Sequence, residues 1–248
     1  VSLTPEGQRL YLRTTEAFAL IAESADRWIE QNKGSVVRLT SIPSICGLWL
    51  IPRLAQLEAG NPPLRIDLRV EHRSADLDSD GIDLAIRCGR GGMPGRHSVQ
   101  LFEEYCFPIA TPALAAAVGE GAPERLLDWP LIHDSDASAW RAWFAAQGLD
   151  YRPRRQDRRF EDYNLVLDAA AHGLGIALAR PPLVQEMLAS RRVIRADPRT
   201  ALNTVAYWLD RPEGKLRPAA MELARRIMRA ADLETRVMDG FFGAKSRD

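Results

Sequence analysis

The chain has 248 residues, of which 46% are hydrophobic and 27% are charged, and its formal net charge is +0. A chain of this length can bury a sizeable core and form two lobes. The neutral balance argues against non-specific nucleic-acid binding by these residues, and the sequence has neither a membrane-spanning apolar run nor a secretory signal pattern. Three cysteines without metal-type spacing fit a reduced, cytoplasmic compartment: Cys46, Cys88 and Cys106.

A long helix is predicted at the start of the chain. Thr4 is a good N-cap, Pro5 suits the first turn, and no helix breaker follows before about Asn32. We interpret this segment, residues 4–33, as a dimerisation helix; the alternative is an ordinary helix docked on the domain. The interpretation rests on apolar or small positions that alternate by four and three residues, close to a heptad seam: Leu10, Thr14, Ala17, Ile21, Ala25 and Trp28.

Residues Ser35 to Gly89 predict a strand, a helix, a strand, a short helix and a strand, in that order. Strands that alternate with helices of this length indicate right-handed crossovers and a parallel sheet. In such sheets the ligand crevice lies beyond the carboxyl ends of the strands. Three polar turns fall at that edge, and they supply the first candidate binding residues: Ser41, Pro43, Ser44, Asp76, Arg87 and Gly89.

Ser44 is the candidate with the clearest chemistry. It stands where the helix after the first strand should begin, so its hydroxyl and the free N–H groups behind it would seat a carboxylate. The alternative is that Ser44 only caps its helix. Asp76 and Arg87 also have structural alternatives, Asp76 as a helix cap and Arg87 as its salt-bridge partner or a solvated strand end.

The chain beyond about residue 109 repeats the pattern of strands and helices. One buried strand ends at His133, which is more often a hydrogen-bonded strand-end histidine than a ligand group and is therefore only a candidate for the pocket wall. Asp162 is predicted to cap a later helix whose N-terminus would face the crevice opposite Ser44. The chain returns through a strand in which Tyr207 would place a ring and a hydroxyl at the hinge.

No motif for catalysis is present. The sequence lacks a Gly-x-Ser-x-Gly elbow, a His-Glu-x-x-His helix and a carboxylate cluster with room for chemistry. We therefore predict a protein that is not an enzyme, with no catalytic residues, no metal ligands and no cofactor. A redox pair of Cys88 and Cys106 is the lesser alternative, because nothing in the sequence activates either thiol.

Four segments occur in an order and at spacings similar to one protein family: LTPEG leading into the long helix, SIPSICGLWLIPRL, DGIDLAIRCG and AAAHGLGIALA. With them the chain resembles the linker helix and effector-binding portion of LysR-type transcriptional regulators, and most of all the subgroup with regulators of glycine cleavage and of β-lactamase induction. The resemblance covers essentially the whole chain. It implies an α/β fold of two Rossmann-like lobes, similar to periplasmic binding proteins and joined by two crossover strands.

The resemblance also implies a function. A small-molecule effector, for which a carboxylate is one candidate group, would bind between the lobes beside Ser44, Asp76 and Tyr207, and would change transcription through a homodimer or homotetramer. DNA would be contacted by a winged helix-turn-helix expected before residue 1. The implied division is a wing remnant, a linker helix, a first subdomain in two pieces, a second subdomain and a tail: 1–3, 4–33, 35–108 with 205–234, 109–204 and 235–248.

A solute-binding protein of a transport system is the alternative function. Such a protein shares the two lobes, but it would need export, and the N-terminal helix has no counterpart there.

Overall fold

The structure is a computed structural model, and it describes residues 4–32, 35–72, 77, 80–91, 95–233 and 241. Within these ranges, only the backbone is described at residues 12, 19, 21–32, 103, 104 and 204. The predicted long helix is present as α1 (Pro5–Asn32). Thr4 caps it as expected, since Thr4 Oγ1 accepts a hydrogen bond from the Gly7 amide at 3.1 Å. None of the helices in these ranges combines the length and the apolarity of a membrane span.

The first lobe contains the predicted parallel sheet. β1 (Val36–Ser41) lies between β2 (Arg65–Val70) and β3 (Leu84–Gly89), and both pairings are parallel. The carboxyl ends of the three strands therefore meet at one edge of the sheet, where the sequence places its polar turns. The short helix predicted between β2 and β3 falls mostly outside the described residues.

The helical segment after β1 begins two residues earlier than predicted. Its N-cap is Ile42, with φ −78° and ψ 155°, so the capping role predicted for Ser44 is wrong. Pro43 explains the shift, because proline favours the first helical position, where no N–H donor is needed. The segment then consists of four consecutive helical pieces of three kinds: α2 (Pro43–Ile45), a π-helical turn (Cys46–Leu50), a 3-10 turn (Ile51–Arg53) and α3 (Leu54–Glu58).

Two long antiparallel strands connect the lobes. β4 (Arg96–Ala110) and the strand that we name β9 (Ala201–Pro212) pair with each other from Arg96 opposite Pro212 to Cys106 opposite Ala201. In the first lobe β9 also pairs with β3, which gives the strand order β2-β1-β3-β9-β4. From Phe107 to Ile109 β4 pairs instead with a strand of the second lobe.

The second lobe is built on β5 (Leu131–His133), β6 (Arg158–Arg159) and β7 (Ile176–Ala179), with β7 between β4 and β5. β5 pairs in parallel with both β6 and β7, so a second set of carboxyl ends meets at one edge. A two-residue strand, β8 (Ile194–Arg195), pairs with β4. The helices of this lobe are α4 (Pro112–Val118), a 3-10 turn (Pro123–Asp128), α5 (Ser138–Ala146), α6 (Tyr163–Ala171) and α7 (Pro181–Ala189).

The core has two main parts. One fills the first lobe and the face of the second sheet beneath α6, and its largest fully buried side chains include Trp49 and Tyr207. The other lies under α5, where the Trp143 and Phe144 rings meet edge to face at 5.0 Å. The amphipathic helix α8 (Pro218–Ala230) covers the first lobe. Phe241, in the predicted tail, is also buried, and its carbonyl accepts a hydrogen bond from Arg211.

Candidate functional site

A cavity of about 510 Å³ lies between the two lobes. Almost all of its wall follows the carboxyl ends of parallel strands, which is where α/β sheets place their ligands. The first lobe contributes residues after β1 and β2 and at the end of β3, and the second lobe contributes residues after β5, β6 and β7, while β9 supplies two more. The described lining residues are Ile42, Pro43, Ser44, His72, Cys88, Arg90, Asp134, Ser135, Asp136, Ser138, Glu161, Asp162, Tyr163, Arg180, Asn203 and Val205.

A larger cavity, about 660 Å³, lies within the second lobe between α4 and β8. Its one buried carboxylate, Asp197, is already bonded by Arg125 at 3.0 Å and Arg199 at 2.8 Å. Those guanidinium groups also donate to backbone carbonyls of the adjoining loop, including that of Gly121. The charged groups of this cavity already bond one another and the adjoining loop, so they have little capacity left for a ligand. The interlobe cavity is therefore the better candidate for a ligand site.

Ser44, Pro43 and Asp162 are the predicted residues that line the interlobe cavity. Ser44 is only 4% exposed, and its hydroxyl makes no hydrogen bond to any residue that the structure describes. Because Ser44 lines the cavity, water or a bound molecule can supply the partner that the protein does not. The Ser44 hydroxyl is therefore available to a bound molecule, although it does not cap a helix.

Asp162 occupies the N-cap position of α6, as predicted, but its side chain makes no capping hydrogen bond. Its Oδ1 atom instead lies 3.4 Å from Nε2 of His72. His72 belongs to the first lobe and Asp162 to the second, so this contact spans the cleft. The two lobes approach each other at the rim of the cavity through these side chains.

Three more predicted residues bond to the protein rather than line the cavity. The Ser41 hydroxyl donates to the Ile86 carbonyl at 2.8 Å, which ties β1 to β3. The buried Arg87 guanidinium donates to the Glu71 carbonyl at 2.6 Å and to the Thr40 hydroxyl at 2.9 Å. Because Arg87 is buried and bonded in this way, the alternative of a solvated strand end is wrong, and its predicted salt-bridge partner Asp76 lies outside the described residues. The Gly89 carbonyl accepts from the indole of Trp208 at 2.9 Å.

His133 and Tyr207 are buried beside the cleft rather than in its described lining. His133 Nε2 lies 2.8 Å from the Tyr151 hydroxyl, which donates in turn to Asp157 at 2.7 Å. Burial lowers the pKa of His133, and the nearby Asp157 carboxylate only partly opposes that effect. Tyr207 is fully buried, with its ring edge to face against Phe102 at 6.2 Å. The structure thus favours the interpretation of His133 as a bonded strand-end residue.

The predicted contribution of Asp76 lies outside the described residues. The binding roles of Asp76, Ser41, Arg87, Gly89, His133 and Tyr207 therefore stay predictions.

The cavity wall contains one internal ion pair. Arg180, at the end of β7, bonds the carboxylate of Asp134, at the end of β5, and its guanidinium lies 4.5 Å from the ring centre of Tyr163. The Tyr163 hydroxyl donates to the Leu178 carbonyl at 2.9 Å, which fixes the ring under the guanidinium. Asp136 accepts hydrogen bonds from Ser138, and these lower the pKa of its carboxyl group. This side of the cavity is pre-organised and charged.

In the part of the chain that the structure describes, no group of three or more histidine, cysteine, aspartate or glutamate side chains could hold a metal ion.

Comparison with known proteins identifies the family. A family model described as the LysR substrate binding domain matches residues 30–232. The chain belongs to this LysR family. It is 30% identical over 195 residues to the glycine cleavage system transcriptional activator of Escherichia coli (strain K12), an alignment that covers 77% of this chain and 63% of the relative. It is also 30% identical over 220 residues to the transcriptional activator AmpR of Pseudomonas aeruginosa, covering 88% of this chain and 73% of AmpR.

The effector domain of AmpR from Pseudomonas aeruginosa has the same fold, with a TM-score of 0.71 and 28% identity over 82% of this chain and 98% of that one. The prediction of a two-lobe α/β fold is therefore confirmed. The relatives are transcriptional regulators, which supports the main functional prediction over a transport protein. The chain spans about 63% of the length of the glycine cleavage activators that it matches.

Several lining residues of this LysR domain were missed by the sequence analysis. Asp134, Glu161 and Arg180 each follow a strand of the second lobe, so the rule that selected Ser44 could have selected them as well. The sequence pattern that marks the strand ends is weak here, because β6 has only two residues and β5 has three. Asn203 lies on a crossing strand, where no turn marks the position.

Cys46, Cys88 and Cys106 form no disulfide in the structure. Cys88 pairs with Tyr207 on β9 and Cys106 pairs with Ala201, six residues away along the same strand. At about 3.3 Å per residue the two positions are about 20 Å apart, whereas a disulfide needs Cα atoms within about 7 Å. A direct Cys88–Cys106 bond cannot form in this conformation. Burial raises the pKa of the third thiol, Cys46, to about 11 and so makes it a poor nucleophile.

Proposed function

We propose that this chain is the effector-sensing region of a LysR-type transcription factor that works in the cytoplasm and is not an enzyme. The observation that carries the proposal is the meeting of Ser44 and Asp162, from different lobes, in one cavity of about 510 Å³. A molecule that bridges two lobes binds one interlobe geometry better than another, so its binding shifts the population towards that geometry. A coupling free energy of about 1–3 kcal/mol to a distant site is ordinary for such a shift.

The long helix α1 is the proposed route from the cleft to DNA. Its apolar side chains Leu10, Tyr11 and Phe18 are 66%, 59% and 69% exposed in the single chain. Exposed apolar side chains at roughly heptad spacing favour pairing with a second copy, as a homodimer or as part of a homotetramer. The proposed partner of the paired helices is a DNA-binding winged helix-turn-helix outside this chain.

The proposed division of the chain follows the strand pairing. The first subdomain comprises residues 35–108 and 205–234, and the second comprises residues 109–204. The linker helix occupies 4–33, and the segments 1–3 and 235–248 lie outside both subdomains. The change of β4 from pairing with β9 to pairing with β7 between Cys106 and Phe107 supports the first of these boundaries.

The proposal predicts a loss of effector binding in Ser44→Ala. A thermal-shift screen of metabolites supplies the ligand, and calorimetry then compares its affinity for the wild type and the variant. We expect about a fivefold loss of affinity, since a net hydrogen bond contributes about 1 kcal/mol. The unfolding midpoint should not fall, because the Ser44 hydroxyl bonds no described residue.

Ser190→Ala is the matched control, since Ser190 is exposed at the end of α7 and bonds only its own helix. That variant should bind the same ligand with wild-type affinity. An affinity of Ser44→Ala equal to that of the wild type would refute the assignment of Ser44 to the site.

A further inference from the structure

The described wall of the interlobe cavity is acidic. It contains four carboxylates and two guanidinium groups, an excess of two carboxylates. The whole chain has no net charge, so this excess is a local property of the cleft. The acidic lining residues are Asp134, Asp136, Glu161 and Asp162, and the basic ones are Arg90 and Arg180.

The buried part of this charge is neutralised internally. Arg180 and Asp134 bond each other, and their side chains are only 11% and 18% exposed. The remaining charged groups are three carboxylates, those of Asp136, Glu161 and Asp162, and one guanidinium group, that of Arg90. These three carboxylates follow β5 and β6 on the second lobe, so they share one wall of the cavity. An anion entering the cleft would be repelled by this wall, whereas a cation would be attracted to it.

The Ser44 hydroxyl is a second and independent pointer to a ligand in the same cavity. The Ser44 residue is 4% exposed, it lines the cavity, and its hydroxyl bonds no described residue. A polar group of a bound molecule that displaces water from the cavity can therefore pair with this hydroxyl. The acidic wall and the buried hydroxyl come from different lobes, so one molecule can engage both.

We propose that the effector carries a protonated amine or guanidinium group, held by the carboxylates of Asp136, Glu161 and Asp162, and a second polar group bonded by Ser44. The proposal rests on the proposed function and specifies the chemical class of its ligand. A carboxylate on the same molecule, the group considered from the sequence, is compatible with the site, because Arg90 has no ion-pair partner among the described residues. A ligand with anionic groups alone is not compatible with it.

Two small probes of similar length and opposite charge test the proposal. Agmatine carries an amine and a guanidinium group, and glutarate carries two carboxylates. In calorimetry with the whole chain at low ionic strength, we expect agmatine to bind at least about tenfold more tightly than glutarate, as charge complementarity predicts. Glutarate binding as tightly as agmatine, or no binding of agmatine up to about 20 mM, would overturn the proposal.

Glu161→Gln is the informative variant, because the exposed Glu161 side chain lines the cavity and can lose its charge without a change in shape. We expect it to weaken agmatine binding about threefold, as for an exposed charge pair. Glu186→Gln, the same change on an exposed residue of α7 outside the cavity, should have no effect. Equal agmatine affinity in Glu161→Gln and in the wild type would count against the proposal.

The outcomes also separate this proposal from the proposed function. If glutarate binds and the Ser44→Ala substitution lowers its affinity, the cleft is a ligand site and only the proposed cationic class of effector is wrong. If a ligand from the screen binds to Ser44→Ala and to Glu161→Gln with the same affinity as to the wild type, the cleft is not the site and both proposals fail.

Discussion

Replacement of Gly175 by alanine is expected to be the most damaging single change in the second lobe. Gly175 has φ +156°, and a Cβ atom there would lie 2.4 Å from the Pro130 carbonyl oxygen. That oxygen cannot withdraw, because it accepts the Ile176 amide at 2.9 Å where β7 begins beside β5. We expect a loss of about 3–5 kcal/mol in the free energy of unfolding. Thermal unfolding should show a midpoint at least about 10 °C lower, or no folded protein.

Gly173→Ala is the matched control. Gly173 also has a positive φ, +74°, but the nearest atom to its Cβ position would be Thr111 Cγ2 at 3.9 Å. In this variant the free energy of unfolding should fall only by the cost of placing alanine in the left-handed conformation, about 1–2 kcal/mol. Equal losses for the two variants would show that the approach of Pro130 does not matter.

Asp83→Ala is expected to have the second largest effect. The Asp83 carboxylate accepts the Arg38 amide at 2.9 Å and the Arg217 guanidinium at 2.6 and 3.0 Å. It therefore ties β1 and the start of β3 to the N-terminus of α8. Breaking a fully buried ion pair costs about 3–5 kcal/mol, and because the Arg217 side chain is 33% exposed we expect about 2–3 kcal/mol here, measured by urea unfolding.

Asp67→Ala provides the comparison for Asp83. Asp67 is 44% exposed, so solvent screens its 3.4 Å contact with Nε of Arg38, although the Arg38 side chain is only 7% exposed. In Asp67→Ala the Arg38 guanidinium keeps its bond to the Gly81 carbonyl, and we expect stability to change by less than about 1 kcal/mol. A loss for Asp83→Ala as small as that for Asp67→Ala would contradict the structural role of Asp83 and leave α8 held by apolar contacts alone.

The sequence predicted the sheet of the first lobe because its strands carry regular patterns. Val37 and Leu39 lie two residues apart on either side of Arg38 and are fully buried, and Leu84 and Ile86 are fully buried with the same spacing of two. The position of Ser44 in the cleft followed from strand order alone, because carboxyl ends of parallel strands share an edge. Its local geometry did not follow, since Pro43 takes the first helical position and moves the N-cap to Ile42.

Side-chain partners far apart in the chain could not be predicted. Arg180 bonds Asp134, 46 residues away, and this pair depends on the spatial order of β5 and β7. Arg87 was expected at the crevice, yet its side chain bonds the end of β2 instead of entering the cavity. Strand alternation identifies two faces, but it does not say which face meets the cleft when both are covered.

The central claim is that one effector binds between both lobes. Amide chemical-shift mapping of the isotope-labelled chain, titrated with the ligand from the thermal-shift screen, tests it directly. We predict perturbed amides on both walls of the cleft, at 42, 44 and 88–90 in the first lobe and at 134–138, 161–163 and 180 in the second. Perturbations confined to one lobe, for example around Arg125 and Arg199 at the cavity beside α4, would contradict it.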